Sequence, residues 1–299
     1  MVTAFVLTGG GSLGAVQVGM LQALADRKVE PDLLIGTSAG ALNAAFIADS
    51  GFGAASLAEL EHIWAGLRRS DVFPLRPARA LAALVGAAPS LCADHGLRHL
   101  LDRHLGFERL EDARIPLHVV TTDILSGQEV LLSRGDAVDA VLASAAIPAV
   151  FPSVEIDGRH LVDGGIADNA AISQAVTQGA DRIYVLPSGY ACALPAAPQT
   201  VLASALQSLT LLVERRLVLE VAQYSTTVDL RVLPPLCPLA VAPSDFGHGA
   251  RLIERARAAT SRWLETGADK ADHPERFLSL HGHTPASPGL DDRHVTIDS

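Results

Sequence analysis

The sequence predicts an α/β fold with a parallel sheet and helical crossovers, and three observations carry that prediction. Residues 3–8 (TAFVLT) form a continuous apolar run of strand length, as expected of a strand buried on both faces. Gly9-Gly10-Gly11 breaks that run, and apolar residues then recur at helical spacing: Leu13, Val16, Met20, Leu21, Leu24. After Pro31 the pattern repeats, with a short strand at 32–35, a sharp turn at 36–40 and an apolar helix at 41–48. Strand, helix, strand, helix in succession is the signature of parallel strands joined by helices.

The later elements follow in order. Residues 57–67 and 98–105 have amphipathic helical spacing, and a Pro/Ala-rich stretch at 74–89 joins them. The region 50–110 is therefore expected as a helical insertion, either a packing layer or a cap over a site. Residues 116–123 return to strand character. Residues 154–156 and 159–162 flank Asp157-Gly158, the short-range mark of a tight hairpin. A helix is expected at 169–180, a buried strand at 182–186, a long helix at 202–224 and a last helix at 251–266. From 267 to 299 the chain turns polar, and a flexible tail is expected there. Residues 1–266 are thus read as one domain.

Composition bounds the function. The chain has 299 residues, 49% hydrophobic and 19% charged, enough apolar surface to offset chain entropy. Its 23 Lys+Arg face 33 Asp+Glu, a net charge of -10. That field repels polyanions, so nucleic acid is not an expected partner. Three cysteines, Cys92, Cys192 and Cys237, form no CxxC pair, which argues against a disulfide framework or a thiolate metal site. The stretches 78–89 and 201–213 fall short of the roughly 18 apolar residues of a membrane span and read as buried or partly buried helices. MVTAFVLTGGG lacks a basic n-region and a small-residue cleavage site, so a cytoplasmic location is the default expectation.

The strongest chemical feature is Gly36-Thr37-Ser38-Ala39-Gly40, a G-x-S-x-G motif between a predicted strand and a predicted helix. A nucleophile elbow needs both glycines because the chain turns where a side chain would strike the neighbouring strand and helix. The same turn puts Ser38 at a helix N-terminus, which favours developing negative charge. A serine hydroxyl needs a base, and Asp163-Gly164-Gly165 ends a predicted strand, where sites form in α/β sheets. Taken alone, that Asp-Gly reads first as a turn aspartate bonding its own backbone, the reading that also fits Asp157. Gly9-Gly10-Gly11-Ser12-Leu13-Gly14 opens a helix and presents backbone N–H groups suited to an anion or oxyanion. It also satisfies G-x-G-x-x-G, but the acid that a dinucleotide site places after the second strand is missing: Glu30 precedes that strand.

Together these motifs resemble the patatin-like phospholipase family. The matching residues are Gly9 through Gly14, the Gly36–Gly40 elbow, Ala143-Ser144-Ala145-Ala146-Ile147-Pro148 with Phe151-Pro152, and Asp163-Gly164-Gly165 with Asn169. They cover roughly residues 3–190 in a specific order. The resemblance implies a three-layer α/β/α fold with a mostly parallel central sheet, and a Ser-Asp dyad without a catalytic histidine. By position, Ser38 is the expected nucleophile and Asp163 the base. Backbone N–H groups of Gly10, Gly11 and Ser12 are the expected oxyanion hole, with Gly9, Gly14, Gly36, Gly40, Gly164 and Gly165 in support. A lipid or other acyl ester is the expected partner, with transient contact at a membrane surface, and neither cofactor nor metal is expected. One departure stands out: Leu13 occupies a position where the family often has Arg or Lys. A main-chain oxyanion hole survives that change, so it bears on phospholipid preference more than on ester hydrolysis.

Two rival readings stay open. A Ser-Asp-His triad of the α/β-hydrolase type needs a histidine after the acid, and His248 is its candidate, since His281, His283 and His294 lie in the expected tail. A lipid-binding protein with Ser38 idle is the second. His95, His99 and His104 have metal-like proximity but read as a solvated helix face, and Ser144 reads as a tightly packed small residue.

Overall fold

The computed structural model describes residues 1–74, 76–189, 197, 199–237, 239, 241–267 and 278. The chain opens with β1 (Thr3–Leu7), a 3-10 turn at Gly11–Leu13, and α1 (Gly14–Asp26). β2 (Leu33–Thr37) and α2 (Ala39–Ser50) follow, then the helical stretch α3 (Ala54–Gly66), α4 (Arg69–Val72), α5 (Pro77–Leu84) and α6 (His95–His104). Next come β3 (Leu117–Asp123), β4 (Glu129–Leu132), α7 (Ala137–Ser144), and the hairpin β5 (Val154–Ile156) and β6 (Arg159–Asp163). α8 (Ile172–Thr177), β7 (Arg182–Leu186), α9 (Val201–Tyr224), β8 (Asp229–Val232) and α10 (Gly249–Glu265) complete the described chain.

The eight strands form one sheet in the order β5-β6-β3-β2-β1-β7-β8, with β4 on β3. The run β3-β2-β1-β7-β8 is parallel throughout, while β4, β5 and β6 add antiparallel pairs at one side. Strand alternation sorts the core into two layers. Phe5, Leu7, Leu34, Tyr184 and Leu186 face α1, α2, α3, α7 and α10. Ala4, Val6, Ile35, Ile183 and Val185 face α8 and α9. Helices on both faces of a sheet make the three-layer α/β/α fold, and they explain why β1, β2 and β7 read as unbroken apolar runs.

Several elements depart from expectation. The helix expected at 169–180 shrinks to α8, because Asp168 Oδ1 accepts the N–H groups of Ala170 and Ala171 (3.1 and 2.7 Å) and holds the chain in a turn. β4 and β8 carry no clear strand signal: four residues that open on an acid (EVLL, DLRV) leave little period to see. The helical signal of α7 was available, since Asp136 caps it by accepting the Asp139 N–H at 2.8 Å. The stretch 78–89 is partly rather than fully buried: Ala80, Ala82 and Ala83 are half-covered, while within and just beyond α5 Leu81 and Val85 lie open to solvent. In 201–213, Leu211 and Leu212 are likewise exposed. Of the expected tail, only Gly267 and Leu278 lie among the described residues, and Leu278 is buried in the α8/α9 layer; an apolar side chain there finds a place in the core. No described helix is long and apolar enough to cross a membrane.

Candidate active site

The glycine loop and the elbow follow the carboxyl ends of β1 and β2, at the edge where parallel sheets build sites. Ser38 stands between β2 and α2 with φ 53° and ψ −121°. That is a conformation an L residue adopts only under constraint, at a cost of about 1–3 kcal/mol. The constraint is visible. Ser144 Oγ accepts the Ser38 backbone N–H at 2.8 Å and donates to the Val120 carbonyl at 2.6 Å. Ser144 therefore does more than fill space, because its hydroxyl ties the elbow to β3. Ser144→Ala orphans a buried N–H, and an unfolding titration in urea should show a loss of about 1–3 kcal/mol; an unchanged midpoint would remove that role.

Sheet register brings Asp163 to the elbow. Thr37 lies opposite Val120, and the next residue of β3, Thr121, lies opposite Asp163. Asp163 is 8% exposed, and its Oδ1 accepts the Gly165 N–H at 2.8 Å. Burial pushes its pKa up from 3.8 to about 6, and the Ser38 hydroxyl and the Gly165 amide, acting as hydrogen-bond donors, hold back part of that rise. Gly164 packs where a side chain would meet the Val120 carbonyl and the Thr37 methyl. Gly165 sits against Asp163 and Asn169, Gly36 against Ala41, and Gly14 against the Trp64 ring.

A buried polar network pins the glycine loop. Asn169 Oδ1 accepts the Gly9 N–H at 2.8 Å. Ser188 Oγ donates to the Gly9 carbonyl and its N–H donates to Thr8 Oγ1 at 2.9 Å. Gln17 Nε2 donates to the carbonyls of Thr8 and Leu186 (2.8 and 2.9 Å) and its Oε1 accepts from Asn43, whose own Oδ1 accepts the Trp64 indole N–H at 2.7 Å. Sequence reading matched Asn169 but missed Gln17, Asn43 and Ser188. A buried Gln and Asn inside apolar helices are the signal that would have found two of them, since such groups are kept only with partners.

Among the described residues the N–H groups of Gly10 and Gly11 have no acceptor, so both amides are available to a bound anion. Ser12 is different and corrects the expectation. Its N–H donates to the Pro243 carbonyl at 2.7 Å and its hydroxyl to the Ala242 carbonyl at 3.0 Å. The cause is Gly11, whose φ of +59° turns the following amide towards the 242–243 segment.

An apolar cavity of about 740 Å³, open mouth included, begins at Ser38 and Gly11. Trp64 stacks on Phe246 (centroids 6.3 Å apart) and Phe73 on Phe151 (5.4 Å), building its wall. α3 and α6, from the expected insertion, supply Ile63, Leu97 and Leu101 to the lining, with Leu67 just after α3. His104 also lines it, with its pKa lowered by burial and by Arg103, so it is not part of a solvated face. His95 and His99 are exposed, and among the described residues no group of three metal-binding side chains exists. His248 pairs with Asp245 at 3.3 Å on a half-exposed loop and forms no hydrogen bond to Ser38 or Asp163.

Comparison with known proteins adds a family. Residues 5–176 match the family model described as patatin-like phospholipase. An uncharacterized NTE family protein of Mycobacterium tuberculosis is 33% identical over 178 residues, covering 60% of this chain and 46% of the relative. Lysophospholipase NTE1 of Saccharomyces cerevisiae is 26% identical over 186 residues, 62% of this chain and 11% of that protein. The chain thus spans less than half the length of these curated relatives. Among solved structures, VipD from Legionella pneumophila aligns with a TM-score of 0.47 at 16% identity, over 88% of this chain and 67% of VipD.

Proposed function

The chain belongs to the patatin-like phospholipase family, and from that premise we propose that it is a serine acyl hydrolase working through a Ser38–Asp163 dyad within one domain, residues 1–266. The observation that carries this is the pairing of a strained, buried serine with a buried carboxyl of raised pKa at the mouth of an apolar cavity. Asp163 takes the Ser38 proton as Ser38 Oγ bonds to an acyl carbonyl carbon. The Gly10 and Gly11 amides and the N-terminus of α2 receive the oxyanion. Asp163 returns the proton to the departing alcohol, then takes a proton from a water that attacks the acyl carbon and passes it to Ser38 Oγ as the acyl–oxygen bond breaks.

The substrate class follows from the cavity. Among the described residues its lining is largely apolar and contains neither Lys nor Arg, and Leu13 is buried against Gly189. The wall recognises an acyl chain and offers no cation to a phosphate, so acyl esters without a phosphate head group fit best.

A fluorophosphonate probe tests the reading. Ser38 should label, and the labelling rate should climb about tenfold per pH unit until Asp163 ionises near pH 6, then level off. Absence of label on Ser38 would favour the idle lipid-binding reading. A rate that is flat from about pH 4.5 to 8 would remove Asp163 as base.

A further inference from the structure

We propose that the α4–α5 edge of the helical cap is a docking surface for an anionic lipid bilayer. It rests on the acyl-hydrolase reading only for its purpose, which is to deliver substrate. Residues 77–89 (PARALAALVGAAP) contain one charged side chain, yet none of their described side chains is buried. Leu81 and Val85 are 64% and 72% exposed. With exposed Ala78 they form one apolar stripe at helical spacing, while Arg79, Ala80 and Ala83 turn towards the body of the protein. An uncovered stripe of this kind calls for a partner.

Charge selects the partner. Residues 67–92 hold four arginines, Arg68, Arg69, Arg76 and Arg79, against a single acid, Asp71. Asp71 is occupied by the Arg68 N–H and Ser70. Arg79 faces the body and bonds neutral Ser90, while exposed Arg68, Arg69 and Arg76 have no salt-bridge partner among the described residues. In a chain of net charge -10, one cationic, apolar edge sets orientation: the rest of the surface is repelled by an anionic membrane while this edge is drawn in. The edge is also continuous with the cavity, since Leu67, Val72 and Phe73, just before α5, line it. A bilayer held there lies beside the wall that receives the acyl chain.

Vesicle flotation tests this on full-length Ser38→Ala protein, which separates docking from turnover. The protein should float with phosphatidylcholine vesicles containing about 30 mol % phosphatidylserine, less with pure phosphatidylcholine, and less in high salt. Adding Leu81→Ser and Val85→Ser should cut the bound fraction at least about tenfold, and Arg76→Glu several-fold. In the Ser38-containing protein the same changes should leave hydrolysis of a water-soluble ester unaltered. No flotation by the parent, or flotation unaffected by Leu81→Ser/Val85→Ser, overturns the proposal. A dimer in light scattering that these two changes abolish, without vesicle binding, overturns it in favour of a second copy. Soluble-ester turnover failing while flotation persists would sink the hydrolase reading alone.

Discussion

Ser38→Ala and Asp163→Asn should each reduce hydrolysis of a soluble acyl ester on the order of 10⁴-fold or more, with the fold intact. Groups that act as one unit lose nearly everything when either is removed. Asn keeps the size of the side chain but takes no proton. The variant also carries its own control. A folded-state pKa raised from 3.8 to about 6 means that the folded protein holds its proton longer than the unfolded chain does. Stability from this group is complete below about pH 3.8 and is lost as pH rises through about 6, in all about 3 kcal/mol. An asparagine at this position has no charge to bury, so thermal unfolding at about pH 8 should show Asp163→Asn at least as stable as the parent. His248→Ala should retain full activity, because His248 is engaged with Asp245 on the surface. Near-parental turnover in either dyad variant would end the proposed mechanism, and loss in His248→Ala would revive the triad.

Gly40→Ala should cost upwards of about 3 kcal/mol and abolish activity with it. A Cβ at Gly40 would lie 2.1 Å from the Leu7 carbonyl oxygen and 2.5 Å from its carbon. Both are backbone atoms of the central strand β1, which cannot step aside as a side-chain tip can. To make room, α2 must lift off the sheet and carry Ser38 away from Asp163 and the glycine loop. Gly53→Ala is the contrast: its backbone is extended and nothing lies within 4 Å of the added methyl, so only the loss of an N-cap glycine, about 1 kcal/mol or less, is expected. Equal unfolding midpoints for the two variants would show that the elbow tolerates what the geometry forbids.

Much of the site was legible because its signals are local. Two glycines around Ser38, an Asp-Gly-Gly at a strand end and a glycine run before a helix each report a turn within a few residues. The same locality explains the misses. Ser12 looks equivalent to Gly10 and Gly11 in sequence, but its amide is spent on Pro243, far along the chain. Ser144 looks like a small core residue until its hydroxyl is seen bridging Ser38 and Val120. α5 has the composition of a buried helix, and only the packing around it shows that no described residue covers Leu81 and Val85.

By itself, then, the sequence determined the α/β class, the order of the first four elements, the elbow at Ser38 and the candidacy of Asp163. Backbone periodicity and turn chemistry act over a handful of residues and leave their mark in any short window. Tertiary structure alone decided which amides stay open, how far Asp163 is lifted towards neutrality, where the apolar cavity opens and which apolar stripe faces out. Those properties depend on desolvation and on partners brought together from distant segments, and no local pattern encodes what another part of the chain will cover.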